Sequence, residues 1–162
     1  MQSYPPQVRK VALALADLGI HDRIRQLPDS VTTPTSAAQA LEVPKAAIAT
    51  SSVYVADGKP VLVVISGVHR PDLLKLAALT ESRRVALGDY SFVLAHTGQP
   101  QGGVAPLGHP KPLTTFVDVT LSRQRQIWAS AGHPQYVFST SYDEILRITA
   151  GNAGEVGEAP AV

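Results

Sequence analysis

The sequence predicts an α/β (α+β) fold in which helices surround a mixed sheet. Candidate helices and strands alternate irregularly along the chain, which favours this arrangement over a doubly wound parallel sheet. A tight hairpin between two runs of β-branched residues supplies an antiparallel pair of strands. With 162 residues, of which 44% are hydrophobic and 17% charged, the chain is long enough to bury one substantial core, and we predict a single domain over residues 1–149.

The N-terminal part of the chain predicts two helices with a short strand between them. After Pro5, apolar residues recur with the spacing of an amphipathic helix until Gly19, a typical stop residue. A strand around residues 23–27 follows. Thr33 then provides an N-cap, with proline at the next position, for a second helix that runs through Leu41.

The clearest local signal is a hairpin formed by residues 51–55 and 60–66. Asp57-Gly58 lies between these two β-branched runs, and this dipeptide is typical of a tight turn because both positions accept positive φ. Pro60 lies at the first position of its strand, where a missing N–H is tolerated. We therefore expect adjacent antiparallel strands here.

Downstream of the hairpin, helices and strands continue to alternate. Residues 71–79 predict a helix, residues 83–87 a strand, and residues 90–96 a helix that is closed by Gly98. In the first of these helices, the residues expected in the first turn are Pro71 and Asp72, and those expected to face inward are Leu73, Leu76 and Ala77.

The C-terminal part predicts three strands, a last helix and a tail. The stretches with strand composition are residues 113–117, 126–130 and 136–138. Ser141 and Glu144 form a capping-box pattern that opens a helix over residues 142–149. Residues 150–162 are mostly small, polar or glycine, so we predict a disordered tail.

Composition excludes several classes of function. The chain has no cysteine, which rules out disulfides, thiolate metal sites and thiol nucleophiles. No pair of histidines has metal-motif spacing, so we predict no metal site. No apolar run, including residues 61–65, is long enough to cross a bilayer, and the N-terminus lacks the pattern of a secretory signal. We expect a cytoplasmic protein with no membrane contact, and the net charge of +1 indicates no particular partner.

A loop rich in glycine and proline is the most unusual stretch of the sequence. Residues 97–112, TGQPQGGVAPLGHPKP, contain four glycines and four prolines. Glycine lets a ligand approach the main chain and proline restricts the loop, so its N–H groups can be aimed at a carbonyl oxygen that becomes an oxyanion. The alternative is a surface loop whose composition reflects turn chemistry alone. The spacing excludes a nucleotide-binding P-loop.

Three further residues are candidates for a site on weaker grounds. Among the five histidines, His109 has the best claim because it lies in the loop. Asp118 follows an apolar strand, where a carboxylate needs partners, so a hydrogen-bonded structural role and a site role are equally open. Trp128 lies in a strand pattern and is assigned to the core rather than to a platform for stacking bases.

Several blocks form a recognisable pattern along the chain. The most specific block is the loop, whose defined positions are Thr97, Gly98, Gly102, Gly103, Val104, Pro106 and Gly108. The other blocks are Ala37 to Val43 with Ile48, Ser66-Gly67-Val68-His69-Arg70, Val117-Asp118, and Ser130-x-Gly132. With these blocks in order, residues 33–149 resemble the YbaK/EbsC-type prolyl-tRNA-editing domains, which remove wrongly attached amino acids from tRNA.

The resemblance implies a mainly antiparallel, twisted and partly barrel-like central sheet. It implies a free-standing aminoacyl-tRNA deacylase that hydrolyses the ester of mischarged tRNA with no metal and no organic cofactor. Main-chain groups at Gly102 and Gly103 would stabilise the ester carbonyl, with Thr50 beside them. The residues implied to bind substrate are Thr97, Gly98, Val104, Pro106, Gly108, Gly67, His69, Asp118, Ser130 and Gly132. The implied partners are the aminoacyl-tRNA 3′ end and an aminoacyl-tRNA synthetase, with the chain as a monomer or a homodimer.

The chain departs from the family's pattern at two positions, of which Ala105, where a serine is common, is the milder. Family members carry a lysine directly after the pair equivalent to Ile48-Ala49, where this chain has Thr50. Threonine donates a hydrogen bond but brings no positive charge, so it gives no electrostatic help to a phosphate or an oxyanion. Thr50 therefore favours, as an alternative, a weakened or inactive module that binds the aminoacyl-tRNA 3′ end. A pocket reused for an unrelated small molecule is a third alternative.

Overall fold

The computed structural model describes residues 3–158. Within them the chain forms five α-helices, which are α1 (Pro6–Asp17), α2 (Pro34–Leu41), α3 (Leu73–Thr80), α4 (Tyr90–Thr97) and α5 (Tyr142–Thr149). The eight strands are β1 (Ile24–Gln26), β2 (Ile48–Ala56), β3 (Lys59–Ser66), β4 (Val85–Leu87), β5 (Thr114–Asp118), β6 (Ile127–His133), β7 (Tyr136–Thr140) and β8 (Asn152–Gly154). Short 3₁₀ helices lie at Lys45–Ala47 and Val119–Arg123.

The predicted hairpin forms the centre of the sheet. β2 and β3 are antiparallel over eight residue pairs. Asp57 and Gly58 between them both have positive φ, at 47° and 85°, as a type I′ turn requires. The twist of such a turn matches the twist of the strands, so the hairpin register follows from this dipeptide.

The sheet is mixed and open. Its strand order is β1-β7-β6-β2-β3-β5-β8, and β4 pairs with β2 outside this path. Four of the seven strand pairings are antiparallel, namely β1 with β7, β2 with β3, β2 with β4, and β6 with β7. The other three pairings are parallel. The predicted mixed, mainly antiparallel sheet with surrounding helices is confirmed, and β1 and β8 form its two edges instead of closing a barrel.

Helices cover both faces of the sheet. α1, α4 and α5 pack on one face, where α1 buries Val8, Val11 and Leu15 in the largest apolar cluster. α2 and α3 belong to separate clusters on the other face. The bounds of α2 and α5 agree with the prediction, because Thr33 and Ser141 cap them by accepting main-chain N–H groups. Among residues 3–158, no helix combines the length and the apolar character needed to cross a membrane.

The predicted start and inner face of α3 are wrong in two details. The helix begins at Leu73, because the Asp72 carboxylate accepts the main-chain N–H groups of Leu74 and Lys75 and so caps the helix from outside. Leu73 is 43% exposed, and α3 reaches the core through Leu76. Ala77 is half-buried.

The capping box predicted at α5 forms in one direction. The Ser141 hydroxyl accepts the Glu144 N–H at 3.2 Å. The Glu144 carboxylate does not complete the box, because it accepts the Thr140 hydroxyl at 2.7 Å and pairs with Arg23. This carboxylate therefore ties α5 to the segment before β1.

The segment after α5 is ordered up to residue 158, which corrects the predicted disordered tail. β8 pairs in parallel with β5. Val156 is fully buried, and its carbonyl accepts the Asp72 N–H at 2.8 Å. One buried valine and main-chain pairing at a sheet edge thus order a stretch whose composition is small and polar. The rest of the predicted tail, residues 159–162, lies outside the described residues.

Asp118 joins the end of β5 to neighbouring elements. Its buried carboxylate accepts the Ser66 N–H at 3.1 Å and the Thr120 N–H and hydroxyl at 2.9 and 2.8 Å, and it lies 2.9 Å from His69 Nδ1. Burial raises the pKa of this carboxyl, but the hydrogen bonds from His69, Thr120 and Ser66 outweigh burial and leave the pKa below its usual value. These contacts support the hydrogen-bonded structural role for Asp118.

We expect Asp118→Asn to destabilise the fold by about 2 kcal/mol or more at neutral pH, because an amide cannot replace a carboxylate that accepts several hydrogen bonds. With a lowered folded pKa, the stabilisation is complete above the pKa of the unfolded chain, about 4, and is lost as the pH falls through the folded pKa. Urea unfolding of both proteins at about pH 7 and about pH 3 measures this difference.

The matched control is Asp29→Asn, which alters an exposed carboxylate and should leave the free energy of unfolding nearly unchanged. A destabilisation by Asp118→Asn that is equal at both pH values would contradict the assigned role.

Candidate functional site

A pocket opens where β2 and β6 separate. The two strands pair in parallel at two residue pairs, and the pairing ends with Ala49 opposite Ala129. β6 then bends at an irregularity that begins at Ser130. Further along the same edge of β2, β4 pairs with residues 54–56. Residues 50–53 of β2 therefore lie at an open stretch of edge inside the sheet.

The main chain of Ser51 faces this open stretch. The Gly88 N–H donates to the Val53 carbonyl at the β4 side at 2.9 Å. Because main-chain groups alternate sides along a strand, the N–H and C=O of Ser51 point in the same direction as those of Val53. The pairing of β2 with β6 ends before Ser51, so its main-chain groups face the pocket.

The pocket has a volume of about 250 Å³. α2 and the segment before it form one wall, β2 and β6 form the floor, and the glycine-rich loop closes one side. Its polar and loop-derived lining residues include Thr33, Thr50, Ser51, Ser130, Gly102 and Val104. None of the lining residues is charged, so neutral hydrogen-bonding groups have to recognise any ligand.

A second cavity of about 320 Å³ adjoins the first. The two share Ser51, Ser52, Gly102 and Val104. The second cavity extends into the apolar side of the sheet, where Val53, Leu87 and Val93 line it. The open edge of β2 therefore borders both the pocket and this second cavity.

The glycine pair makes a tight turn beside the pocket. The Gly103 N–H donates to the Pro100 carbonyl at 2.9 Å, and Gly102 at the third position of the turn has φ of 92°. A Cβ on Gly103 would lie 2.8 Å from Cδ of Pro134, so the close approach requires glycine. The Gly103 carbonyl accepts the Ser130 hydroxyl at 3.0 Å. Both main-chain groups of Gly103 are therefore used within the protein, which corrects the prediction that its N–H holds a ligand.

Gln99 holds the loop in place, and the sequence analysis missed it. Gln99 is 1% exposed, and its side chain donates to the Leu107 carbonyl at 3.2 Å and accepts the Ala105 N–H at 2.8 Å. Thr97 supports it, since the Thr97 hydroxyl donates to the Val93 carbonyl at 2.7 Å and accepts the Gln99 N–H at 3.0 Å. Gln99 occupies an undefined position of the loop motif, so the sequence carried no signal for it.

Of the residues predicted for the site, four line the pocket, namely Thr50, Gly102, Val104 and Ser130. Gly103 contacts the pocket wall through Pro134 and Ser130. The other predicted substrate-binding residues are placed elsewhere.

Three of these residues, all glycines, have structural roles at the end of α4 and against α1. Gly98 is the C-cap of α4, with φ of 70°. Gly108 and Gly132 approach α1, where an added Cβ would lie 3.0 Å from Val11 and 3.1 Å from the Gln7 carbonyl, respectively. Pro106 lines a different cavity together with His109. Burial lowers the pKa of His109, although its hydrogen bond with the Ala105 carbonyl acts in the opposite direction.

Asp118 and His69 border a separate cavity of about 310 Å³, together with Lys75 and Arg123. The structure therefore does not group Asp118 with Thr50 and Ser130, which corrects the prediction that these residues shape one pocket. Gly67 lies against the 3₁₀ helix before β2, because an added Cβ would approach the Lys45 carbonyl to 2.8 Å.

Thr50 lies at the pocket floor in the place where the resemblance implies a lysine. Its hydroxyl donates to the Ile65 carbonyl of β3 at 3.3 Å. Lys45 is exposed and is not among the residues that line the pocket, so it does not supply the missing charge. Within residues 3–158, no group of three or more histidine, aspartate or glutamate side chains is placed to hold a metal ion.

Two buried polar side-chain atoms at the pocket lack a hydrogen-bond partner in the described part of the chain. They are Ser51 Oγ and Trp128 Nε1. Trp128 was assigned to the core, and it does pack beside the α2 cluster, but its indole N–H remains unpaired. The run of three hydroxyl residues at positions 50–52, within a strand of otherwise apolar character, was the signal in the sequence for Ser51.

Comparison with known proteins agrees with this architecture. The family model of the aminoacyl-tRNA editing domain matches residues 28–148. A proline–tRNA ligase of Lactobacillus helveticus is 29% identical over 125 residues, which cover 73% of this chain and 22% of the ligase. The provisionally named Cys-tRNA(Pro)/Cys-tRNA(Cys) deacylase EbsC of Enterococcus faecalis is 30% identical over 122 residues, which cover 75% of this chain and 74% of that protein.

A solved structure extends the agreement to nearly the whole chain. This crystal structure, provisionally described as a trans-editing enzyme for prolyl-tRNA synthetase, superposes with a TM-score of 0.92 at 31% identity and covers 97% of this chain and 100% of that chain. The resemblance drawn from the ordered sequence motifs is thereby confirmed. The chain belongs to the aminoacyl-tRNA editing domain family.

Proposed function

We propose that the chain is a trans-acting aminoacyl-tRNA deacylase and that its pocket between β2 and β6 holds the aminoacylated 3′ end of tRNA. The observation that carries the proposal is that two features lie at the same pocket. Gly102 and Val104 of the family's loop motif lie there opposite the unpaired main chain of Ser51. Such main-chain groups suit the carbonyl of an ester.

The chemistry follows from these main-chain groups. Water adds to the ester carbonyl carbon and negative charge develops on the carbonyl oxygen, which main-chain N–H groups stabilise without a cation. Because the Gly103 N–H already donates to the Pro100 carbonyl, we assign stabilisation of the carbonyl oxygen to the N–H groups of Ser51, Gly102 and Val104. The bond to the ribose oxygen then breaks, and that oxygen leaves as a hydroxyl after gaining a proton.

In this proposal the substrate activates the attacking water. None of the residues that line the pocket titrates near neutral pH, so a group of the aminoacyl-adenosine itself has to accept the proton from water. The protein contributes orientation and charge stabilisation, which together account for large accelerations of labile bonds.

A second candidate function rests on Thr50. An uncharged hydroxyl that donates to the Ile65 carbonyl gives neither a phosphate nor an oxyanion electrostatic help. The alternative is a module that binds the aminoacyl-tRNA 3′ end without hydrolysing it. For either function we propose aminoacyl-tRNA as the partner, a synthetase as a second partner, a cytoplasmic location, and a monomer or homodimer.

We expect Gly103→Ala to lower deacylation of mischarged tRNA by about a hundredfold, because its Cβ would clash with main-chain and ring atoms of Pro134 and displace the loop. Purified wild type and variant are assayed against a panel of misacylated tRNAs. Gly19→Ala is the matched control, since it strains a positive φ of 79° with no atom within 4 Å of the added Cβ, at a residue that is not among those lining the pocket. Absence of turnover by the wild type on every tRNA would overturn the enzymatic proposal.

We expect Thr50→Lys to raise the deacylation rate by about tenfold or more if the missing cation limits catalysis. Thr50→Met supplies similar length without charge and separates charge from packing. The measurement is single-turnover hydrolysis of the best substrate of the panel. If wild type binds aminoacyl-tRNA but only Thr50→Lys hydrolyses it, the binding-module alternative replaces the deacylase. Equal rates for wild type and Thr50→Lys contradict that alternative.

A further inference from the structure

A cavity of about 310 Å³ lies beyond the carboxyl ends of the parallel strands β3, β5 and β8. Its lining includes His69, which follows β3, Arg123, which follows β5, and Glu155, which follows β8. In open α/β sheets, crevices at the carboxyl ends of strands commonly hold ligands. We propose that this cavity, which we call the His69 cavity, is a second ligand site that binds a free α-amino acid as its zwitterion.

The His69 cavity is separate from the pocket between β2 and β6. The two share no lining residue. Their chemistry also differs, because the pocket has an uncharged lining, whereas acidic and basic side chains both line the His69 cavity. Its volume lies at the lower end of the range for pockets that hold small molecules. The proposal therefore adds a site and does not rest on the deacylase function.

His69 offers one fixed acceptor atom to the cavity. Its Nδ1 lies 2.9 Å from the buried Asp118 carboxylate and 3.2 Å from the Thr120 hydroxyl. The pKa of the Asp118 carboxyl is below its usual value, so the carboxylate is ionised and only accepts hydrogen bonds. Nδ1 therefore carries the hydrogen, and Nε2 of the neutral imidazole is an acceptor. Within residues 3–158, Nε2 has no hydrogen-bond partner, so a ligand N–H can donate to it.

Lys75 and Arg123 offer cationic donors to the same cavity. Lys75 is half-buried, and its Nζ donates to the Gly157 carbonyl at 2.9 Å, which leaves two N–H groups of the ammonium for a ligand. Arg123 is exposed. Neither cation makes an ion pair with a carboxylate in the described part of the chain. A ligand carboxylate is the group that complements both of them.

Glu155 and Glu158 bring negative charge to the cavity. Both are exposed, and neither pairs with a cation among residues 3–158. The segment that carries them is held in place, because the Glu158 N–H donates to the Arg70 carbonyl at 2.8 Å and Val156 is fully buried. Charges of both signs thus line one cavity without forming ion pairs with each other.

A zwitterion matches these groups better than an ion of one sign. The carboxylate of an α-amino acid complements Lys75 and Arg123. Its ammonium group complements the two glutamates and can donate to His69 Nε2. A phosphate ion would be repelled by the glutamates, and a simple cation would be repelled by Lys75 and Arg123. The small volume favours the shortest zwitterions, which are α-amino acids.

The test uses small ligands that differ in charge. Glycine, acetate, methylammonium and inorganic phosphate are each titrated into the full chain, and binding is measured by isothermal titration calorimetry. We expect glycine to bind with a dissociation constant of about 10 mM or lower, and each ion of one sign to bind at least about tenfold more weakly. In NMR spectra, glycine should shift the ring resonances of His69 with the same saturation curve. These resonances are assigned by their loss in His69→Asn.

Three variants locate the binding. Arg123→Gln and Glu155→Gln each remove one charge from an exposed side chain, so the fold is kept and the glycine affinity should fall by about tenfold. His69→Asn keeps a donor near the position of Nδ1 for Asp118 but removes Nε2, and it should weaken glycine binding as well. Arg125→Gln is the matched control and should bind glycine like the wild type, since Arg125 is also exposed and is not among the residues that line the cavity.

Absence of saturable glycine binding by the wild type overturns the proposal. Binding of acetate, phosphate or methylammonium as tightly as glycine also overturns it, because the cavity would then hold a simple ion. A glycine affinity that is unchanged in all three cavity variants has the same consequence, because the amino acid would then bind elsewhere. None of these outcomes depends on whether the chain hydrolyses aminoacyl-tRNA.

Discussion

Along one of its edges, β2 pairs with two different strands, β6 and β4, and these two strands do not meet. β6 covers the first two residues of that edge and β4 covers residues 54–56, while β3 covers the whole opposite edge. An unpaired stretch of strand inside a sheet needs hydrogen-bonding partners from elsewhere. The pocket lies at this gap, and the glycine-rich loop and Ser51 border it.

The glycine-rich loop closes the gap without filling it. Gln99 uses its buried amide to hold the main chain at Ala105 and Leu107, and the turn at Gly103 packs directly against Pro134. These contacts within the protein fix the main chain of the loop. A preorganised main chain is what stabilisation of an ester carbonyl requires, since donors that had to reorient would lose much of their effect.

The pocket combines strong shape constraints with weak electrostatics. Thr50, Ser51 and Ser52 place three hydroxyl residues along the open edge, and no charged side chain lines the pocket. In such a site, discrimination depends on whether each buried hydrogen-bonding group finds a partner. The charged and titratable cluster around Asp118 and His69 lies at another cavity, where it joins β3, β5 and the following 3₁₀ helix.

The sequence by itself determined the features that depend on neighbours within a few residues. These local features are the helix cap at Thr33, the Asp57-Gly58 turn and the loop motif that indicated the family. Their chemistry can be deduced from the sequence without knowing the fold. The tertiary structure alone decided that β2 and β6 separate after Ala49, that Gly103 N–H is already used, that Asp118 lies apart from Ser130, and that Val156 orders the segment after α5. Except for the Gly103 N–H, whose partner Pro100 lies in the same turn, these outcomes depend on partners far away in the chain. A hydrogen-bonding group shows whether it is free for a ligand only when its partners are in place.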